Sequence, residues 1–200
     1  MGVDTLFWGG FWRIYFLVSG GWWLWETSGV ERLREFDMAA LFGALEAERV
    51  GRGLSWVEMV AEVNVVFRGT PSIPVAVGTV RGMLGKRSVT SAVVLQVLGW
   101  MRRTPESFLE GAEVGDGERL PESGPGRVLR FDTRAMYEAL NVRRLERGLT
   151  WRKVAAELPG FSQGMLTNLA EGPLIGFPRV MMIPQWLGVS AARFVRACGA

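Results

Sequence analysis

Along residues 131–200 the apolar positions recur at helical spacing, and a capping residue stands where each of the first three runs begins. Asp132 is placed to cap a first helix through about Glu146, with Ala135, Met136, Ala139 and Leu140 on one face. Gly148 supplies its stop. Thr150 begins a second helix through Leu158, with Val154 and Leu158 turned inward, and Pro159-Gly160 makes the turn. Ser162 begins a third helix carrying Leu166 and Leu169. After a loop marked by Gly and Pro, a fourth runs from about Pro178 with Val180, Ile183 and Leu187 on one stripe. A short fifth helix holds Phe194. Pro184 falls inside the fourth helix, where the lost backbone hydrogen bond costs roughly 3 kcal/mol unless the helix kinks.

The same pattern occurs earlier in the chain. Residues 36–63 align without gaps on residues 131–158, and 12 of the 28 positions are identical, Phe36/Phe131, Asp37/Asp132, Arg49/Arg144, Gly53/Gly148 and Trp56/Trp151 among them. Downstream the offset changes from 95 to 86 residues, pairing Trp100 with Trp186 and Phe108 with Phe194. The nine extra residues of the first copy fit in Asn64–Ala76, whose prolines forbid a regular helix and allow local extension. Val94, Val97, Leu98 and Met101 give the first copy its own fourth-helix stripe. Between the copies, GAEVGDGERLPESGPG reads as a flexible acidic linker, since it offers little apolar surface to bury. The expected class is all-α: a first five-helix unit over 36–110 with an insert at 64–76, a linker over 111–130, and a second unit over 131–200.

Residues 1–35 stand apart. Thr5–Trp25 carries one charge, Arg13, in 21 residues, a length that matches a membrane span. Arg13 near its middle and Gly9, Gly10, Gly20 and Gly21 oppose a spanning helix. Neither a basic leader nor a clear cleavage site marks a signal peptide. The segment fits a spurious extension from an upstream start codon, a membrane anchor, or a tail that docks on a partner.

Charge and composition narrow the chemistry. The formal net charge is +3, and residues 131–200 hold nine basic against five acidic groups, so the second copy is the part suited to a polyanion. There is no histidine to serve as general base or metal ligand, and Cys198 stands alone. No GxxxxGK[ST] loop or strand-to-helix GxGxxG is present. The expectation is a protein that is not an enzyme and takes no cofactor or metal.

Copy two, RGLTWRKVAAELPGFSQGMLTNLAEG followed by RVMMIPQWLGVSAARFV, resembles the phage-repressor-like helix-turn-helix domain of XRE/Cro type. The resemblance covers about 65 residues there and, more loosely, about 75 in copy one. It implies a lambda-repressor-like five-helix fold in which helices two and three form the DNA-binding motif, the third entering the major groove. On that basis Ser162, Gln163, Thr167 and Asn168 fall at base-reading positions, with Gln163 and Asn168 able to pair bidentately with adenine. Arg152 and Lys153 suit phosphate contacts, and Thr150 and Ser162 can present helix N-terminal amides to phosphate. Copy one departs: its third helix, VGTVRGML, offers only Thr79 and Arg81 as readers, with Lys86 and Arg87 behind it for phosphates.

Other residues have plainer roles. Trp56, Trp100, Trp151 and Trp186 recur at equivalent places, which favours packing over base stacking. Arg143, Arg144 and Arg147 form a basic stripe that is either a solvated face or a DNA contact. Asp37 and Asp132 read as helix caps. The expected function is sequence-specific binding of double-stranded DNA by a cytoplasmic, nucleoid-associated transcription regulator. The alternative is a helical scaffold that dimerises or binds a protein through the first repeat, tethered to a membrane by residues 5–25 if that segment is an anchor.

Overall fold

The computed structural model describes residues 5–8, 11–18, 21–24, 32–172 and 175–199, and the chain divides into the units Met1–Arg32 and Leu33–Ala200. In the first unit β1 (Thr5–Trp8), β2 (Phe11–Val18) and β3 (Gly21–Leu24) form an antiparallel three-stranded sheet, with Trp8 opposite Phe11 and Val18 opposite Gly21. Dense aromatic and β-branched residues suit strands, and Gly-Gly between two such runs is a hairpin signal. No helix among the described residues is long and apolar enough to cross a membrane.

In the second unit, copy one comprises α1 (Met38–Gly51), α2 (Trp56–Val63), a 3-10 turn at Asn64–Phe67, α3 (Val77–Arg81), β4 (Val89–Thr90), α4 (Ser91–Met101) and a 3-10 turn at Glu106–Phe108. Copy two comprises β5 (Val128–Phe131), α5 (Thr133–Glu146), α6 (Trp151–Glu157), α7 (Gln163–Thr167), a 3-10 turn at Leu169–Glu171, β6 (Gly176–Phe177), α8 (Met182–Leu187) led in by a 3-10 turn at Arg179–Met181, a 3-10 turn at Ala191–Phe194, and β7 (Val195–Cys198). The caps act as their residue types dictate: Asp37, Ser55, Asp132, Thr150 and Ser162 each accept from a backbone N–H of the helix they open. The fourth helix of copy two breaks from 3-10 to α ahead of Pro184, which then sits in the first turn of α8, where a missing N–H costs least.

The expectation of an all-α protein is corrected. β5 pairs antiparallel with β7, closing the two ends of copy two, and β4 pairs antiparallel with β6 across the copies. The reason is backbone satisfaction: once the helices pack, the short segments flanking them lie side by side with buried N–H and C=O groups that must be paired. Copy one makes the first closure with a single bridge, Phe36 to Leu109. At equivalent places Asp37 N donates to Phe108 O and Asp132 N to Phe194 O, both at 2.7 Å.

The sequence predicts two separate domains joined by a flexible linker. Instead one hydrophobic cluster runs through both copies, and the intervening segment is tied into it: Leu120 packs against the core and Gly126 N donates to Val66 O at 3.1 Å. The copies face each other through reciprocal contacts. Thr90 of β4 lies opposite Gly176 of β6, its own equivalent at the offset of 86. Gln96 on α4 grips the peptide of Leu129 through its Nε2 (2.9 Å) and Oε1 (3.2 Å). Gln185 on α8 grips the peptide of Arg34, the equivalent of Leu129, at 3.0 and 2.8 Å. Phe177 is fully buried between the equivalent rings of Phe36 (4.9 Å) and Phe131 (6.0 Å). The strand pair brings equivalent residues together, whereas the two glutamine clamps reach equivalent peptides from non-equivalent positions of α4 and α8, so the copies meet with only approximate reciprocity.

Candidate nucleic-acid interface

Some charged and aromatic residues of the two copies hold the fold, and others face solvent. In copy two Arg144 donates from Nη1 to Leu149 O at 2.9 Å and lies 5.0 Å over Trp151, which stacks on Tyr137. Arg147 pairs with Glu157 at 2.7 Å and lies over Trp186, whose indole N–H donates to the same carboxylate at 2.8 Å. Copy one repeats both clusters, with Arg49 over Trp56 and Arg52 over Trp100, and the Trp100 indole donating to Glu62. The tryptophans and most of the arginine stripe are therefore structural; Arg143, the third member, pairs with Glu146 on an exposed face. Burial pushes the Glu157 carboxyl up, but hydrogen bonds from Arg147 and Trp186, with the Arg147 charge, outweigh it and hold its pKa below the usual range.

The predicted readers sit on α6, the turn after it, and α7. Arg152 and Lys153 are exposed at the start of α6, and among the described residues neither pairs with a carboxylate. Ser162, Gln163 and Asn168 are exposed at the two ends of α7, while Leu166 and the following Leu169 anchor the motif in the core. The hydroxyl oxygens of Thr150 and Ser162 accept from Lys153 N and Met165 N, so both are engaged as caps. Thr167 is half-buried and turns its hydroxyl back onto the Gln163 and Gly164 carbonyls at 3.2 Å. It is the base-reading candidate that the geometry does not bring outward.

One cation was missed from the sequence. Arg179 is exposed beside the motif: its Nη1 lies 3.9 Å from Met165 Sδ, and a Cβ added at Gly160 would meet its Nε at 3.4 Å. It comes from the turn before α8, so it joins the turn between α6 and α7 only in three dimensions. The repeat held one usable signal, since its equivalent in copy one is the apolar Val93.

Copy one presents a different surface at the same place. Val57 and Glu58 stand where copy two has Arg152 and Lys153, and Val57 is 67% exposed. Glu58 closes a capping box with Ser55, and hydrogen bonds from the Ser55 side chain and backbone lower its pKa despite slight desolvation. A carboxylate already occupies the helix N-terminus that a phosphate would use. α3 has no side-chain cap; Thr79 is half-buried, and Arg81, Lys86 and Arg87 are exposed with no carboxylate partner among the described residues. Comparison with protein-family models, curated proteins and solved structures gave no match.

Proposed function

We propose that this protein is a sequence-specific double-stranded DNA-binding protein, a transcription regulator acting at the nucleoid, in which copy two reads the duplex. The observation that carries this reading is the grouping of exposed Arg152, Lys153 and Arg179 around an α6–turn–α7 motif that presents Gln163 and Asn168. Cations without carboxylate partners are free to replace counterions on phosphates, and side-chain amides at the edge of a groove-sized helix can pair with adenine. Resemblance of the same residues to the phage-repressor-like family supports the assignment of α7 as the groove-entering helix. Thr150 and Ser162 act as caps that fix α6 and α7, and their role toward DNA is to hold the amides behind them in place.

Fluorescence anisotropy of the full chain on mixed-sequence duplex, across a salt series, tests the reading. Affinity should fall linearly on a log–log plot with salt, with a slope set by the phosphates neutralised. Retention independent of salt, or none at low salt, would refute it.

A second reading has its own support. In copy one the large apolar side chains of Val57, Ile73 (89% exposed) and Leu84 are each exposed, which favours protein contact by this copy, a second copy of the chain being the first partner to test. Sedimentation should show concentration-dependent dimers that Val57→Asp with Ile73→Asp abolishes; a monomer throughout would remove it.

A further inference from the structure

A cavity of about 530 Å³ opens between the C-terminal end of α4 and the segment joining the copies, and arginines line it from both sides. Arg102 and Arg103 come from the end of α4, and Arg119 from the joining segment. Gly99, Glu122 and Ser123 complete the part of the wall that matters here. None of the three guanidinium groups has a carboxylate within ion-pair distance among the described residues, and Arg103 Nε is buried without a hydrogen-bond partner. The Arg103 guanidinium lies 5.0 Å over the Phe108 ring. Three like charges around one space repel, and Glu122 with the negative end of the α4 dipole offsets only part of that.

The backbone adds an independent observation. Arg102 closes α4 in the left-handed region, at φ 55, and is the one non-glycine residue with positive φ among the described residues. Its equivalent in copy two is Gly188, which closes α8 at φ 68. At this position copy two has the residue that the conformation favours, and copy one has an arginine that carries a steric cost and lines the cavity. Gly99 differs as well: its equivalent is Gln185, whose side chain grips Arg34. With glycine there the gap beside Ser123 stays open, since a Cβ would approach Ser123 Oγ at 3.6 Å and Leu129 Cδ1 at 3.1 Å.

We propose that this cavity binds a small, multiply charged oxyanion, a phosphate ester or a dicarboxylate, as an effector site. Its volume suits a small molecule, and planar guanidinium groups from two sides match oxyanion geometry. The bound anion joins the segment at Arg119 to the end of α4, the helix whose Gln96 holds the first strand of copy two. The site therefore stands where a ligand sets the coupling between the copies, and it does not depend on the DNA-binding reading.

Isothermal titration of the full chain in low-salt buffer, with inorganic phosphate, pyrophosphate and succinate as probes, tests it. At least one probe should bind saturably, one per chain, and survive addition of sodium chloride to matched ionic strength. Arg102→Gly should melt at or above the wild-type temperature, because it restores the residue of the equivalent position, yet bind the probe about tenfold or more weakly. Arg119→Ala, an exposed residue, should show the same loss on an intact fold. Absence of saturable binding by all three probes, full competition by chloride, or unchanged affinity in both variants would overturn the proposal.

Discussion

Arginines of copy two divide between the fold and the surface. Arg144 holds Leu149 O, Arg147 holds Glu157, and Arg196 pairs with Asp132, so these charges are spent internally. Arg152, Lys153 and Arg179 are not. Arg152→Ala and Arg179→Ala should therefore weaken binding alike on every sequence and each lower the salt slope by about one. Gln163→Ala and Asn168→Ala should cost about 1–3 kcal/mol on the preferred site and little elsewhere; equal losses on all duplexes in these two variants would mean they touch backbone only. Glu157 makes a prediction about stability. Its pKa is lowered in the folded state, so its contribution is complete above the unfolded carboxyl's range and disappears as pH falls through the lower folded value. Glu157→Ala should cost about 1–3 kcal/mol in urea unfolding at neutral pH, and the gap to wild type should narrow in acid. A gap constant with pH would mean that the ion pair with Arg147 adds nothing.

The elements show where sequence reasoning succeeds and where it stops. α1, α5 and α6 were legible because a cap, an apolar stripe and a glycine or proline stop agree, and α2 because a cap and an apolar stripe repeat those of α6. β4 and β6 were not, because two-residue strands carry no periodicity and are created by the contact between the copies. In the first unit the signal was present: the residues between paired Trp8 and Phe11 are Gly9 and Gly10, a hairpin cue obscured by the apolar length of the run. The site was legible in part, since α6 and α7 place Arg152, Lys153, Gln163 and Asn168 outward, whereas Thr167 turns back and Arg179 arrives from elsewhere. Amide clamps are the other contact invisible in sequence. Gln96 is 3% exposed and satisfies both polar groups of the Leu129 peptide, so Gln96→Ala should cost about 1–3 kcal/mol, while the same change at the less buried Gln185 should cost under about 1 kcal/mol. Denaturant midpoints check this; equal effects would show that the two clamps are equivalent.

At the scale of the molecule, duplication explains the architecture. A 95-residue offset that shortens to 86 announced two copies, and the Asn64–Ala76 insert that accounts for the difference is pinned where Asn64 bonds both the N–H and the C=O of Val75. What the repeat did not announce is that the copies share a core. Phe177, Leu129 and Val89 are buried where the copies meet. Residues 127–200 expressed alone should therefore lack a cooperative thermal transition, and circular dichroism of that fragment checks it. A sharp transition there would mean that copy two is stable without copy one. The copies differ in what they present at the equivalent place: Arg152, Lys153, Gln163 and Asn168 on copy two, and Val57, Glu58 and an uncapped α3 on copy one. The most direct test is selection of the full chain on a random duplex pool at low and moderate salt, beside the Gln163→Ala/Asn168→Ala double variant. The account predicts one enriched motif for the wild type, lost in the variant while salt-dependent retention persists. No enrichment by the wild type, or the same motif from the variant, would contradict it.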